Sequence, residues 1–212
     1  ELGAERTFAA VADLSRPEGS EVLAEAIAGI GRPVGVLVNN AGFGTMAPLA
    51  KADRAETLGA IDVNVRALVD LTHRFLPAMI ERRSGGVLNV ASTAAFQPGP
   101  GMATYYASKA FVLSFSEALF EEVRGFGVRV TALCPGPTVT EFQVRGGMER
   151  SPLFRIMPKM TAADVARIGW RGFSRGRRVV VTGTFNRMGA LTAPLVPKRL
   201  LLPAVKRLNR PS

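Results

Sequence analysis

The sequence predicts an α/β protein built on a doubly wound parallel sheet. Short apolar runs alternate with segments of helical period along most of the chain, which is the pattern of repeated βα units whose sheet is covered on both faces. With 212 residues, 47% of them hydrophobic and 21% charged, the chain can bury a sizeable core, so disordered, collagenous and disulfide-knot classes are excluded. There is no internal repeat and no low-complexity linker.

The elements follow in order. Five strands are expected, at residues 7–12, 34–38, 86–90, 128–133 and 178–181. Helices are expected at 20–28, at 54–82 (long enough to be two), at 104–124 and at 162–172. Several ends are readable: Asp53 as an N-cap, Gly125 and Gly127 closing the third helical stretch, and Thr161 opening the fourth with Asp164 at capping-box distance. Residues 141–160, with Gly146, Gly147, Pro152 and Pro158, read as an irregular connection of the kind that often lies over a binding site.

Charge and cysteine use narrow the function classes. The net charge of +10 is unevenly spread: residues 1–144 hold 12 basic against 15 acidic side chains, and residues 145–212 hold 15 against 2. The basic part lacks interleaved aromatics, so no nucleic-acid partner is expected. One cysteine, Cys134, and one histidine, His73, make neither an internal disulfide nor a metal site. The first residues carry no basic and apolar leader and no run is long enough to span a bilayer, so the expected location is cytoplasmic.

In an open parallel sheet ligands bind beyond the carboxyl ends of the strands. Those positions read Asp13-Leu14, then Asn39-Asn40-Ala41-Gly42-Phe43-Gly44, then Ala91-Ser92-Thr93, then Cys134-Pro135-Gly136-Pro137-Thr138-Val139-Thr140. Glycines there permit close approach of backbone to ligand, and the Asn, Ser and Thr side chains offer hydrogen bonds without charge. Any one of these segments alone reads equally well as ordinary turn chemistry. On the helix that follows, Tyr105 and Lys109 are four residues apart and share a face. A phenol titrating near 10 is a poor acid/base at neutral pH, and a neighbouring ammonium lowers that value.

Together these residues resemble the short-chain dehydrogenase/reductase family over about residues 7–185. The resemblance rests on Asn39-Asn40-Ala41-Gly42, on Asn64 within Asp62-Val63-Asn64-Val65, on Ser92 with Tyr105 and Lys109, and on Pro135-Gly136 with Thr140. It implies a Rossmann-like fold and an NAD(P)-dependent oxidoreductase that interconverts an alcohol and a ketone or aldehyde. By that resemblance Tyr105 is the general acid/base, Ser92 bonds the reacting oxygen, Lys109 lowers the Tyr105 pKa and holds the ribose, and Asn64 positions a relay water. A helix-to-strand hydrogen bond is an equally good reading of Asn64. Asp13 with Leu14 would meet adenine, Asn39, Asn40, Ala41 and Gly42 the adenosine ribose side, and Pro135, Gly136, Thr138 and Thr140 the nicotinamide carboxamide.

The expected cofactor is NADP(H) rather than NAD(H), and the expected partners are an apolar carbonyl or alcohol substrate and further copies of the chain. The apolar pocket is expected from Phe142, Met148, Leu153, Phe154, Ile156 and Met157, with Phe96 and Met102 opposite. Association is expected through the helices at 54–82 and 104–124, where Phe111, Phe115 and Leu119 form a stripe.

The family opens with a strand, a glycine-rich turn and a βα unit that do not precede residue 7, so the domain at 1–185 reads as N-terminally truncated and residues 7–12 as its third strand. A truncated gene product, a sequence that starts late and a paralogue that has given up cofactor binding all fit. A first residue other than Met favours an incomplete copy of an ordinary enzyme. The alternative is a non-catalytic interaction protein on the same scaffold. Residues 186–212 form a basic, apolar extension that Pro194, Pro197 and Pro203 cut into short pieces. Its expected role is to pack across a subunit or cap the pocket, ahead of lying on an anionic membrane surface.

Overall fold

The computed structural model describes residues 7–142, 146–147, 152 and 156–210. Its main sheet has four parallel strands in the order β1-β2-β3-β6: β1 Val36–Asn39, β2 Gly85–Val90, β3 Val128–Cys134 and β6 Val179–Val181. Two very short parallel strands, β4 Thr138–Val139 and β5 Met160–Thr161, pair separately beyond the end of β3. The helices are α1 Gly19–Ala28, α2 Arg54–Ile61, α3 Leu68–Glu81, α4 Ala103–Glu122, α5 Ala162–Ser174, α6 Thr184–Thr192 and α7 Lys198–Leu208. Among the described residues no helix is long and apolar enough to cross a membrane.

Strand alternation explains why one sheet holds two cores. On β2, Val87 packs with Leu71 and Met79 of α3 and Leu119 of α4, whereas the next residue, Leu88, packs with Val165 and Phe173 of α5. On β3, Val130 and Leu133 divide between the same two clusters. Side chains at consecutive strand positions point to opposite faces, so α3 and α4 cover one side and α5 the other. Burying a leucine or valine of this kind contributes roughly 1.5–3 kcal/mol.

Four of the five expected strands are present, each shifted by no more than two residues at an end. The exception is residues 7–12, which form no strand and are largely exposed, with Phe8 at 67% and Val11 at 95%. A strand is defined by a hydrogen-bonded neighbour, and among the described residues β1 pairs only with β2, so apolar content alone does not make residues 7–12 part of the sheet.

The helix signals hold in detail. The Asp53 carboxylate accepts from the Glu56 amide at 2.8 Å, and Thr161 accepts from the Asp164 amide at 3.1 Å while donating its hydroxyl to that carboxylate at 2.7 Å. Gly127, at φ 73°, lies where a Cβ would come within 2.2 Å of the Arg83 carbonyl. The long stretch 54–82 is two helices joined by a π-helical segment at Asp62–Ala67, centred on Asn64. The tail departs from expectation in one respect: Pro194 and Pro197 do interrupt it, but Pro203 lies inside α7. A single proline removes one main-chain donor, and the packing of Val205 (3% exposed) beside Met102 and Tyr106 holds the helix regardless.

A buried polar chain locks β1 and β2 to α3 and α4. The Asn39 side-chain amide donates to Asn89 Oδ1 at 2.8 Å and to Thr72 Oγ1 at 3.1 Å, and Asn89 donates to Ser116 Oγ at 2.9 Å. The two hydroxyls donate onward to the Leu68 and Val112 carbonyls, at 2.7 and 2.6 Å. Every group is satisfied, which is the condition under which a buried network stabilises. Replacing Asn89 with alanine leaves the Asn39 amide short of an acceptor and opens a small void, so Asn89→Ala should cost about 3 kcal/mol in urea unfolding, with the m-value unchanged.

Candidate active site

The carboxyl ends of β1, β2 and β3 and the first turns of α4 converge on a cavity of about 880 Å³. Each wall has a local reason for its position. Ser92 ends β2 as the N-cap of a short 3₁₀ turn, its hydroxyl accepting from the Ala94 amide at 3.1 Å, while the Thr93 amide donates to the Pro135 carbonyl at 2.9 Å. The β2 and β3 ends are thereby tied together. Tyr105 stands in the first turn of α4 with its ring 5.5 Å from that of Phe142, centroid to centroid. Gly44 lies directly against that ring: a Cβ there would sit 2.5 Å from it.

Lys109 is 5% exposed and its ammonium donates to the Val90 carbonyl at 2.8 Å. Burial lowers its pKa to about 8. The ammonium is 5.9 Å from the centre of the Tyr105 ring. Burial pushes the Tyr105 phenol up to about 12, against a smaller downward pull from its hydrogen bond with Ser92. Beside the expected lowering by Lys109, burial therefore acts on the phenol in the opposite direction.

Asn64 is fully enclosed at 1% exposure. Its side-chain oxygen accepts from the Phe43 amide at 3.0 Å, and its nitrogen donates to the Phe43 carbonyl at 2.9 Å and to Ser108 Oγ at 3.0 Å. The side chain thus clamps the loop after β1 to α4 through the π-helical segment, which favours the helix-to-strand reading for the side chain. Gly42 completes this junction, since a Cβ would meet Asn64 Oδ1 at 2.9 Å and the Lys109 ammonium at 3.2 Å.

Of the sequence-derived residues, Asn40, Gly42, Ser92, Tyr105, Lys109, Pro135, Gly136, Thr138 and Thr140 line the cavity. Asn64 stands behind the wall. Asp13, Leu14, Asn39 and Ala41 lie elsewhere: Asp13 turns back on its own chain, accepting from the Ser15 amide at 3.0 Å and hydroxyl at 2.6 Å, which holds its carboxyl below the usual range. Leu14 packs against the α3-side core, and Asn39 is consumed by the buried polar chain.

Phe142, Met157 and Met102 are in the cavity wall, Phe96 packs into the core beside α4, and Ile156 is 73% exposed. Met148, Leu153 and Phe154 lie outside the described residues. The sequence reading missed Trp170 of α5 and Phe185, Asn186 and Ala190 of α6, all of which line the cavity. The signal was present in Gly183 followed by a helical pattern, but nothing local ties that helix to the other end of the site.

The cavity fits the nicotinamide and ribose end of a dinucleotide. Gly42 and Gly136 line it, their missing side chains making room for Asn64, Lys109 and Asn186, and the only ammonium in the wall, among the described residues, is that of Lys109.

A family model described as short chain dehydrogenase matches residues 1–149. Sulfoacetaldehyde reductase 2 of Chromohalobacter salexigens is 37% identical over 169 residues, covering 77% of this chain and 67% of that protein. Serine 3-dehydrogenase of Rhizobium radiobacter is 38% identical over 155 residues, covering 69% and 61%. The chain therefore spans about three fifths to two thirds of these relatives. Among solved structures, a short-chain dehydrogenase from Sphingobium yanoikuyae in complex with NADPH superposes with a TM-score of 0.74 at 28% identity, over 85% of this chain and 70% of that one. The motif residues, the parallel sheet and these matches agree, and the chain belongs to the short-chain dehydrogenase family.

Proposed function

We propose that this protein is a nicotinamide-dependent oxidoreductase interconverting an alcohol and a ketone or aldehyde. The observation that carries the reading is the convergence of Ser92, Tyr105 and Lys109 on one cavity. The dinucleotide, when bound, supplies or accepts the hydride. In reduction Tyr105 gives its proton to the carbonyl oxygen as the adjacent carbon is reduced, and Ser92 holds that oxygen by a hydrogen bond. In oxidation the proton returns to the tyrosine oxygen. Lys109, kept charged at neutral pH and held by Val90, bonds the ribose and orients it against Tyr105.

Asn64 acts through position, its side chain clamping Phe43 and so holding the loop after β1 against the site. Asn40 and Gly42 face the ribose side, and Pro135, Gly136, Thr138 and Thr140 the carboxamide. The adenine contact assigned to Asp13 and Leu14, with Asn39 and Ala41 behind the ribose, belongs to the same reading. NADP(H) is proposed over NAD(H), supported by the NADPH held by the Sphingobium structure.

The substrate is proposed to be apolar. Phe142, Met102, Trp170 and Phe185 supply the wall. The exposed ring of Phe111, stacked on Phe115 at 5.9 Å, supports association of copies along α4.

Three experiments test this reading. In the full-length protein, Tyr105→Phe should lower carbonyl-dependent oxidation of NADPH at least about a thousandfold while leaving nucleotide binding by calorimetry intact. The wild-type oxidation rate should climb about tenfold per pH unit between pH 6 and 8, because the base form of a phenol near 12 is being populated, while reduction stays flat. Equal turnover in the phenylalanine variant refutes the assignment, and failure to bind NADPH or NADH favours a non-catalytic scaffold. Removing residues 187–212 should raise the KM for apolar carbonyls or change the assembly seen by light scattering, with no loss of salt-sensitive binding to anionic vesicles.

A further inference from the structure

Asn186 is the one cavity-lining residue, among the described residues, whose buried side chain keeps an unused hydrogen-bonding atom. It is 6% exposed. Its nitrogen donates to the Thr182 carbonyl at 2.8 Å, which fixes the amide orientation, since a flip would set two carbonyl oxygens against each other. Oδ1 is then left without a partner, shut off from bulk water. A buried acceptor in that state costs about 1–3 kcal/mol, so it calls for a donor that the protein itself does not supply.

Three neighbouring features narrow what that donor is. Asn186 lies flat against Gly136, where a Cβ would come within 2.1 Å of its nitrogen and 2.6 Å of Oδ1, so it is joined to the turn after β3. It sits in the first turn of α6, which no side chain caps, leaving main-chain N–H groups in need of an acceptor. It lines the same cavity as Ser92 and Tyr105. A group that both donates and accepts answers these conditions together. A primary carboxamide does so, offering N–H to Oδ1 and its carbonyl to the helix end.

We propose that Asn186 is a cofactor-binding residue, its side-chain carbonyl accepting a hydrogen bond from the carboxamide N–H of the nicotinamide ring. This rests on the nicotinamide reading above and adds to it a residue from the C-terminal segment. Oδ1 is enclosed in this structure, so the contact requires the side chain to turn toward the cavity. Thr182, whose hydroxyl oxygen is also buried without a partner, lies beneath the same turn.

The test is calorimetric and needs no turnover. The full-length protein is titrated with NADPH and NADH, and with the analogues in which an acetyl group replaces the carboxamide, so that the carbonyl stays and the N–H donors go. Wild type should bind the acetyl analogues about tenfold more weakly, the weight of one buried hydrogen bond. Asn186→Leu, which keeps the volume, should bring the ratio close to one. Thermal melting of the variant reports folding. Equal affinities in wild type, or a ratio unchanged by Asn186→Leu, overturn the assignment. A ratio unchanged with the substrate KM raised overturns it too, and moves the donor to the substrate. Absence of any nucleotide binding in wild type overturns the nicotinamide reading itself, and is distinguishable because no ratio then exists.

Discussion

A lysine ammonium lies in the interior, bonded to the carbonyl that ends β2, and the site is arranged around it. A charge taken out of water is tolerated only where strong partners replace hydration. The Val90 carbonyl is one such partner, and reaching it forces α4 to lie across the end of β2 with its first turns over the cavity. Tyr105 is one turn before Lys109 on that helix, so its place follows from the lysine's. Gly42 and Asn64 then close against the ammonium from the other side, and the loop after β1 has little freedom left. Electrostatics and packing here are one constraint seen from two directions.

Much of this was legible from the sequence because it is local. Strand ends, the Asp53 and Thr161 caps and the i, i+4 relation of Tyr105 to Lys109 depend on neighbours a few residues away. The parallel sheet order follows from alternating βα units. What was not legible depends on partners distant in sequence. Asn39 sits in a motif that resembles a cofactor contact, yet Asn89 and Thr72, fifty and thirty-three positions on, absorb its side chain. The upward pull of burial on the Tyr105 phenol was not legible, because spacing shows that two groups are close and says nothing of how dry they are.

The C-terminal segment is the other case. Its apolar and basic composition suits several surroundings, and composition does not choose among them. The choice is made by a few contacts: Val205 and Leu201 against Met102 and Tyr106, and Asn209 donating to the Pro100 carbonyl at 3.1 Å. These attach α7 to the start of α4, and α6 is thereby held as a wall of the cavity. Phe185, Asn186, Gly189 and Ala190 line the cavity, but Asn186, the polar residue among them, carries no sequence signal of its own.

The close approach of Gly44 to Tyr105 and of Gly136 to Asn186 has a consequence for how such a chain can change over time. Any side chain at either glycine collides with the residue facing it, so neither glycine can be replaced alone without displacing that residue. In an alignment of relatives a larger residue at position 44 or 136 would accompany a smaller or absent side chain opposite, and drift at these four positions would be correlated even though 61 and 50 residues separate the partners.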